Sequence, residues 1–238
     1  MTAIVLNQAF AAPPSIAGFD PGRARHTAGR GQESGAIEQA GLVHLSNRED
    51  LFLEGDEASH VYEVMSGVVC LYRIMPDGGR HILAFRFPGD IVGLCSPANY
   101  GYNAQAVGDA RVRRISRAGL ERMIDERADF ARKLLRMAAA ELNAMRDHLT
   151  CLASKSAEAK VADFLLMLIE RSTARAGADV VVDLPMTRTD IGDYLGLTIE
   201  TVSRTISKMR RSGIIDLPRT TRVVVRSEER LAELAGAA

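Results

Sequence analysis

Residues 186–215 read MTRTDIGDYLGLTIETVSRTISKMRRSGII, and this stretch contains the signals for two short helices separated by a turn. Thr187 or Thr189 can cap a helix that runs to Leu195, because a threonine hydroxyl accepts a hydrogen bond from an N–H group of the first turn. Gly196 then permits the chain to turn. Two short helices joined by a glycine-containing turn form a helix-turn-helix unit.

The second helix of this unit is predicted to have one apolar and one polar face. Thr198 can cap it, and Gly213 fits its end. Val202, Ile206 and Met209 are spaced by four and three residues, so they share one face that we expect to lie in the core. The opposite face carries Glu200, Ser203, Arg204, Ser207, Lys208 and Arg211.

Basic residues are concentrated around this second helix, although the whole chain is neutral. The sequence contains 30 basic and 30 acidic residues, so its net charge indicates no particular partner. Between residues 199 and 226, however, seven residues are basic and only Glu200 and Asp216 are acidic. Phosphate groups attract such a local positive surplus. The segment therefore predicts double-stranded DNA as the partner.

The polar face of the second helix has side chains that can bond to the edges of bases. Arg204 can donate two hydrogen bonds to guanine, and Glu200 can accept one from the amino group of cytosine. A carboxylate that faces DNA is unfavourable unless a base donor meets it, which favours sequence-specific reading. The alternative is an ordinary surface pair between residues four apart, worth about 0.2–0.5 kcal/mol.

Residues 37–119 contain short apolar runs separated by glycines. The glycines recur at intervals of about 11 residues, and several short strands at such spacing indicate an antiparallel barrel or sandwich. Pro76-Asp77-Gly78-Gly79, between VVCLYRIM and RHILAF, predicts a tight hairpin. We expect an antiparallel β-barrel. The punctuating glycines are Gly55, Gly67, Gly78, Gly79 and Gly89.

Residues 120–154 contain neither glycine nor proline, and part of this stretch carries an apolar seam. The alternating spacing of three and four residues along the seam is the a/d pattern of a coiled coil. An amphipathic helix packed on its own domain gives the same pattern over a short run, so the pattern alone leaves both open. We expect a long dimerisation helix. Its interface would consist of Leu135, Ala138, Leu142, Met145, Leu149 and Leu152.

The remaining segments complete an α+β chain. The first 36 residues are rich in glycine and proline and predict a mobile N-terminal segment. Residues 155–238 predict a C-terminal domain around the helix-turn-helix. Besides the helix-turn-helix, that domain would contain a helix over Glu158–Arg171 and short strands at Val180–Val182, around Ile214–Leu217 and around Arg222–Val225.

The helix-turn-helix resembles that of the Crp/Fnr transcription regulators, in the FixK-like and Fnr-like branch. The match lies in R-x-D-I-G-x-Y-L-G-L over residues 188–197 and in TIETVSR over residues 198–204. The resemblance extends over nearly all of the chain past residue 40. It implies a cyclic-nucleotide-binding-like β-barrel, a long dimer helix and a winged helix-turn-helix whose wing lies near Leu217–Val225.

The resemblance also implies which residues contact DNA. Glu200, Ser203 and Arg204 would contact bases. Ile199 stands where the cyclic-AMP branch has arginine, which favours a TTGAT palindrome over the TGTGA type. Two half-sites about 34 Å apart would match a two-fold dimer. With Arg219 or Arg222 of the wing near phosphate, the full expected interface is Arg188, Thr198, Glu200, Thr201, Ser203, Arg204, Lys208, Arg219 and Arg222.

Residues that bind effectors in other branches of the family are missing here. The stretch Gly93–Pro97 and onward to Gln105-Ala106 lacks the glutamate and arginine of the cyclic-nucleotide branch. No cysteine precedes Cys70, so an Fnr-type iron–sulfur cluster would have too few ligands. Some FixK-like members have a redox-sensitive cysteine where this chain has Thr187. We expect no cofactor and no metal site; a haem-gated or other ligand-gated sensor-regulator is the alternative.

The function expected is that of a sequence-specific, DNA-binding transcription regulator, an activator and not an enzyme. It would act as a homodimer and recruit RNA polymerase through exposed loops such as Pro76–Arg80. The sequence has neither an apolar run of about 18 residues, which a membrane helix needs, nor a signal peptide. We therefore expect a cytoplasmic protein without a membrane partner. Whether Cys95 or Cys151 is redox-active is left open.

Overall fold

The computed structural model describes residues 41–94, 98–171, 175–176 and 179–236. These residues form two compact units. One contains residues 41–73 and Leu83–Met137, and the other contains Ile74–Ile82 and residues 138–236. The N-terminal segment predicted to be mobile, residues 1–36, lies outside the described residues. No described helix is both long enough and apolar enough to cross a membrane.

An antiparallel sheet makes up most of the first unit. Its two long strands, β3 and β6, pair along most of their length, from His60 opposite Ser116 to Tyr72 opposite Asn103. β1 and β2 pair with β6, and β4 and β5 pair with β3. The strands are β1 (Leu42–Leu45), β2 (Asp50–Phe52), β3 (His60–Ile74), β4 (Arg80–Arg86), β5 (Ile91–Val92) and β6 (Asn103–Ser116).

The sheet is barrel-like but not closed, which refines the predicted β-barrel. Among the described strands, the path of pairing ends at β1 on one side and at β4 on the other. Buried apolar side chains fill the interior, including the rings of Phe52 and Tyr100, which stack with their centroids 3.6 Å apart. The Tyr100 hydroxyl donates a hydrogen bond to the carbonyl oxygen of His60 at 2.7 Å. Aromatic packing thus occupies the centre of this unit.

The predicted hairpin between β3 and β4 is present. The backbone N–H of Met75 donates to the carbonyl oxygen of Gly79, and that of Gly78 donates to the carbonyl oxygen of Met75, both at 2.8 Å. The Asp77 carboxylate accepts a hydrogen bond from the N–H of Gly79 at 2.9 Å. These local bonds close the turn before β4 begins at Arg80.

Two helices, rather than one, follow the sheet. They are α1 (Arg117–Glu126) and α2 (Ala128–Ser154). The prediction of one helix over residues 120–154 was wrong, because the backbone of Arg127 (φ −132°, ψ 89°) interrupts it. The break allows Leu120 of α1 and Phe130 of α2 to be buried in the same cluster, against the sheet. Tertiary packing therefore decides where α2 begins.

The second unit contains the helix-turn-helix and a small antiparallel sheet. The order of strands in that sheet is β7-β8-β10-β9. β9 and β10 form a hairpin directly after the second helix of the motif, where the sequence predicted the wing. The elements are α3 (Ala157–Arg171), β7 (Arg175–Ala176), β8 (Asp179–Asp183), α4 (Arg188–Leu195), α5 (Ile199–Arg211), β9 (Ile215–Arg219), β10 (Arg222–Val225) and α6 (Glu228–Ala235).

The last helix, α6, was not predicted. Ser227 caps it by accepting a hydrogen bond from the N–H of Arg230 at 3.3 Å, and Gly236 follows its end. It packs on α3, and Leu231 is fully buried. The capping serine and the terminal glycine were visible signals in the sequence.

Candidate nucleic-acid interface

The first helix of the motif, α4, begins at a capping box. The Thr187 hydroxyl accepts a hydrogen bond from the N–H of Asp190 at 3.1 Å, and the Asp190 carboxylate accepts one from the N–H of Thr187 at 2.9 Å. This exchange satisfies N–H groups that have no partner inside the helix. Of the two threonines that the sequence offered, Thr187 is therefore the cap. Asp190 is fully buried, which fixes the start of α4.

Two glycines shape the turn between α4 and α5. Gly196 adopts the left-handed conformation (φ 62°, ψ 41°), as the sequence predicted. Gly192 was not recognised in the sequence as part of the turn. A Cβ atom there would lie 2.5 Å from the carbonyl oxygen of Leu197, and the Leu197 N–H donates to the Gly192 carbonyl oxygen at 3.0 Å. Only glycine allows the helix and the turn to approach this closely.

The second helix, α5, has the two faces that its sequence predicted. Val202, Ile206 and Met209 are buried, together with Ile191 and Leu195 of α4. These side chains join α5 to the core of the unit. The opposite face is exposed, and it carries Glu200, Ser203, Arg204, Ser207, Lys208 and Arg211.

The two residues expected to read bases do not pair with each other in the described part of the chain. The Arg204 Nη2 atom lies 3.4 Å from the Thr201 hydroxyl. Two hydrogen bonds lower the pKa of the Glu200 carboxyl: the larger effect comes from its own backbone N–H, and the smaller from the hydroxyl of Thr198. The carboxylate is therefore charged at neutral pH. Both side chains present charge and hydrogen-bonding capacity to the exterior.

Lys208, the basic residue on the next turn of α5, forms an ion pair within the second unit. Its Nζ atom lies 2.7 Å from the Glu158 Oε2 atom in the first turn of α3. The two residues are 50 positions apart in the chain. No local pattern could have revealed the pair.

The other predicted basic contacts differ in their surroundings. Arg219 is exposed at the end of β9. Arg222 lies 3.1 Å from the Asp183 carboxylate of β8. Arg188 is half-buried, and burial lowers the pKa of its guanidinium. One of its nitrogen atoms, Nη1, is buried with no hydrogen-bond partner among the described residues. Exposed basic groups on α5 and the wing are therefore better placed to contact a ligand than Arg188.

The first residue of β4, Arg80, contacts the cap of α4. The Arg80 Nη1 atom lies 2.7 Å from the Asp190 Oδ1 atom and 3.7 Å from the Asp193 Oδ2 atom. Because Asp190 is fully buried, this charged hydrogen bond is largely shielded from water. Arg80 and Asp190 are 110 positions apart in the chain, which explains why sequence patterns did not show the contact.

The end of α2 supports α4 by ring stacking. The His148 ring lies parallel to that of Tyr194, at an interplanar angle of 6° and with centroids 4.1 Å apart. Burial lowers the pKa of His148. A neutral imidazole at neutral pH suits this apolar stack.

Comparison with known proteins identifies the family. A model of the cyclic nucleotide-binding domain matches residues 42–127, and a model of the Crp-like helix-turn-helix domain matches residues 159–234. The nitrogen fixation regulation protein FixK of Bradyrhizobium diazoefficiens is 44% identical over 173 residues, which cover 73% of this chain and 73% of FixK. The chain belongs to the Crp/Fnr family. It is a transcription regulator and not an enzyme, as predicted.

Two further comparisons agree with the FixK-like branch of the Crp/Fnr family. The transcriptional activatory protein AadR of Rhodopseudomonas palustris is 38% identical, over 73% of this chain and 72% of AadR. The solved structure of FixK2 from Bradyrhizobium japonicum superposes with a TM-score of 0.78 at 40% identity. It covers 84% of this chain and 98% of FixK2. The predicted α+β fold is confirmed.

Cys151 of this Crp/Fnr protein is unsuited to redox sensing. The residue is only 5% exposed. Its pKa is raised to about 11, mainly by burial and secondly by the hydrogen bond and negative charge of the nearby Asp163 carboxylate. The thiolate is the reactive form of cysteine, so this thiol is expected to be inert. Cys95 lies outside the described residues. Within the described ranges, no three His, Cys, Asp or Glu side chains cluster closely enough to hold a metal ion.

Replacing Gly192 with alanine should destabilise this Crp/Fnr protein, because the new methyl group would lie 2.5 Å from the Leu197 carbonyl oxygen. The backbone of the turn must then move. We expect the free energy of unfolding in urea to fall by about 1–3 kcal/mol. Thr189→Ala, an exposed change on the same helix, should stay within about 0.5 kcal/mol of the wild type. Equal stability of Gly192→Ala and the wild type would contradict the close approach.

Proposed function

We propose that this protein is a sequence-specific transcription activator that binds double-stranded DNA as a homodimer. The proposal rests on α5, whose apolar face is buried so that Glu200 and Arg204 face outward from a segment rich in basic residues. Its similarity to AadR, which is named as an activatory protein, supports activation. A cytoplasmic location and the absence of a membrane partner remain predictions that accompany this function.

The bases would be read from the major groove. An α-helix fits that groove, where arginine donates to guanine O6 and N7, and glutamate accepts from a cytosine amino group. Arg204 would take the guanine of a TTGAT half-site, and Glu200 would accept from a cytosine. Because the two side chains do not pair with each other among the described residues, neither neutralises the other before it meets a base. Ser203, on the same exposed face, would add a base contact.

Other residues of the motif would position the protein on the phosphate backbone. The exposed Thr198 lies at the N-terminus of α5, where N–H groups and the helix dipole favour a phosphate. Arg219 projects from the wing, and Arg188 could reach a phosphate only if its half-buried side chain rotates outward. Such contacts set affinity and register without reading sequence. The remaining proposed phosphate contacts are Thr201, Lys208 and Arg222.

A second copy of the chain would cover the exposed seam of α2. Leu135 is 72% exposed and Leu149 is 66% exposed, which is unusual for leucines on a 27-residue helix. Leu142 and Met145 are also more than half exposed. Pairing the a/d seam of two such helices would bury these side chains. Ala138 and Leu152, which are half-buried here, would complete the interface.

RNA polymerase is the proposed partner for the hairpin tip. Pro76, Asp77 and Gly78 are exposed, whereas Arg80 is engaged by Asp190. We therefore place the polymerase contact on the tip and not on Arg80. Gating by a haem or another small ligand is less well supported, because stacked aromatic rings such as Phe52 and Tyr100 occupy the interior of the sheet.

Replacing Arg204 with alanine should weaken the preference for the operator by relaxing specificity at one guanine. We expect the affinity for a TTGAT palindrome to fall by about 5- to 150-fold, the equivalent of 1–3 kcal/mol, with little change on random DNA. Electrophoretic mobility shifts with both duplexes measure this difference. Lys208→Ala, which removes a proposed phosphate contact from the same exposed face, should weaken binding to both duplexes by one common factor. Equal losses on both duplexes for Arg204→Ala would refute base reading by this residue.

Replacing Leu142 with glutamate should separate the dimer, because two uncompensated carboxylates would face each other across the seam. Sedimentation equilibrium should show monomers, and binding to the palindrome should weaken sharply. Ala140→Glu lies on the exposed side away from the seam and should remain dimeric. A dimeric Leu142→Glu variant would rule out this seam as the interface.

A further inference from the structure

One acidic side chain is brought to the exposed face of α5 by the fold. The Oε2 atom of Glu158 lies 2.7 Å from the Nζ atom of Lys208. The Lys208 side chain is 61% exposed and that of Glu158 is 29% exposed. The lysine is therefore the more accessible partner to a ligand from solution, and the glutamate is the more enclosed one.

Glu158 is held in place by the start of α3. It lies in the first turn of that helix, where a negative side chain is favoured by the helix dipole. The Ser156 hydroxyl accepts a hydrogen bond from the N–H of Ala159 at 3.2 Å, which fixes the same turn. Val161 and Leu165 then anchor α3 in the core. The carboxylate is thus a counter-charge on a well-anchored helix, beside an exposed lysine.

We propose that Glu158 is an affinity-setting residue that competes with DNA phosphate for Lys208. This inference rests on the proposed binding of DNA by α5. To reach a phosphate, the Lys208 ammonium must leave a carboxylate that already neutralises it. The complex then also places the Glu158 carboxylate close to the phosphate backbone, where like charges repel. Both effects weaken binding.

The competition should act on DNA of any sequence. The base-reading residues, Glu200 and Arg204, take no part in the ion pair. Binding of phosphates by cations releases counterions, and each neutralised phosphate contributes about −0.9 to the slope of log K against log salt concentration on duplex DNA. While Glu158 neutralises Lys208, the lysine adds less than the full contribution of about 0.9 to the size of that slope. Glu158 therefore lowers both overall affinity and salt sensitivity.

The test compares Glu158→Gln with the wild type on a TTGAT palindrome and on random duplex DNA over a range of salt concentrations. Glutamine keeps the size and polarity of the side chain and removes its charge. We expect about fivefold tighter binding to both duplexes near 0.1 M salt, and a slope steeper by up to about 0.9. The ratio of the two affinities should not change. Glu233→Gln, an exposed charge change on α6, should match the wild type in both quantities.

A double substitution separates competition for Lys208 from general repulsion. In a Lys208→Gln background, Glu158→Gln should change the salt slope much less than in the wild-type background, because only the repulsion between Glu158 and phosphate then remains. Both proteins in this second comparison lack the ion pair, so any effect of the pair on folding is the same in each. A slope change as large as that in the wild-type background would overturn the proposal in favour of repulsion alone.

The same binding measurements distinguish failure of this inference from failure of the proposed function. A Glu158→Gln variant that matches the wild type on both duplexes overturns the inference, even if the wild type prefers the palindrome. A wild type that binds both duplexes equally contradicts sequence-specific function, while the response to Glu158→Gln still tests the inference. Failure of the wild type to bind any DNA would overturn both.

Discussion

The proposed DNA-binding surface depends on the burial of one face of α5. Val202, Ile206 and Met209 pack into the core, and this packing fixes the rotation of the helix about its axis. Burying each such side chain is worth about 1.5–3 kcal/mol, more than an exposed polar contact, worth about 0–1 kcal/mol, could offset. Glu200 and Arg204 therefore point outward because their neighbours point inward. The approach of Gly192 to Leu197 then sets how closely α4 and α5 are joined.

The local positive charge is smaller than the sequence suggests. Among the described residues of the second unit, three of the seven basic residues between positions 199 and 226 form ion pairs: Lys208 with Glu158, Arg222 with Asp183, and Arg226 with Asp216. Two of those carboxylates, Glu158 and Asp183, lie outside residues 199–226. In the proposed complex, phosphate would have to compete with these internal partners. Such competition would limit sequence-independent affinity, whereas the two proposed base-reading residues do not pair with each other among the described residues.

The predictable parts of the fold and site were those set by short-range patterns. Caps at Thr187 and Thr198, the turn at Gly196 and the two faces of α5 follow from spacing within a few residues. Features set by distant contacts were missed. The break at Arg127 serves packing on the sheet, and Arg80 meets Asp190 across 110 residues. The pairing of Lys208 with Glu158 was also missed, because these residues are 50 positions apart in the chain. By contrast, α6 carried local capping signals and could have been predicted.

Protection of guanine N7 from methylation by dimethyl sulfate tests most directly whether α5 reads bases in the major groove. The duplex carries TTGAT and its inverted repeat, with half-site centres about 10 base pairs apart. We expect the bound protein to protect the single guanine of TTGAT on each strand, because an arginine donor would occupy its N7 atom. Full reactivity of both guanines while the duplex is bound would contradict recognition by Arg204.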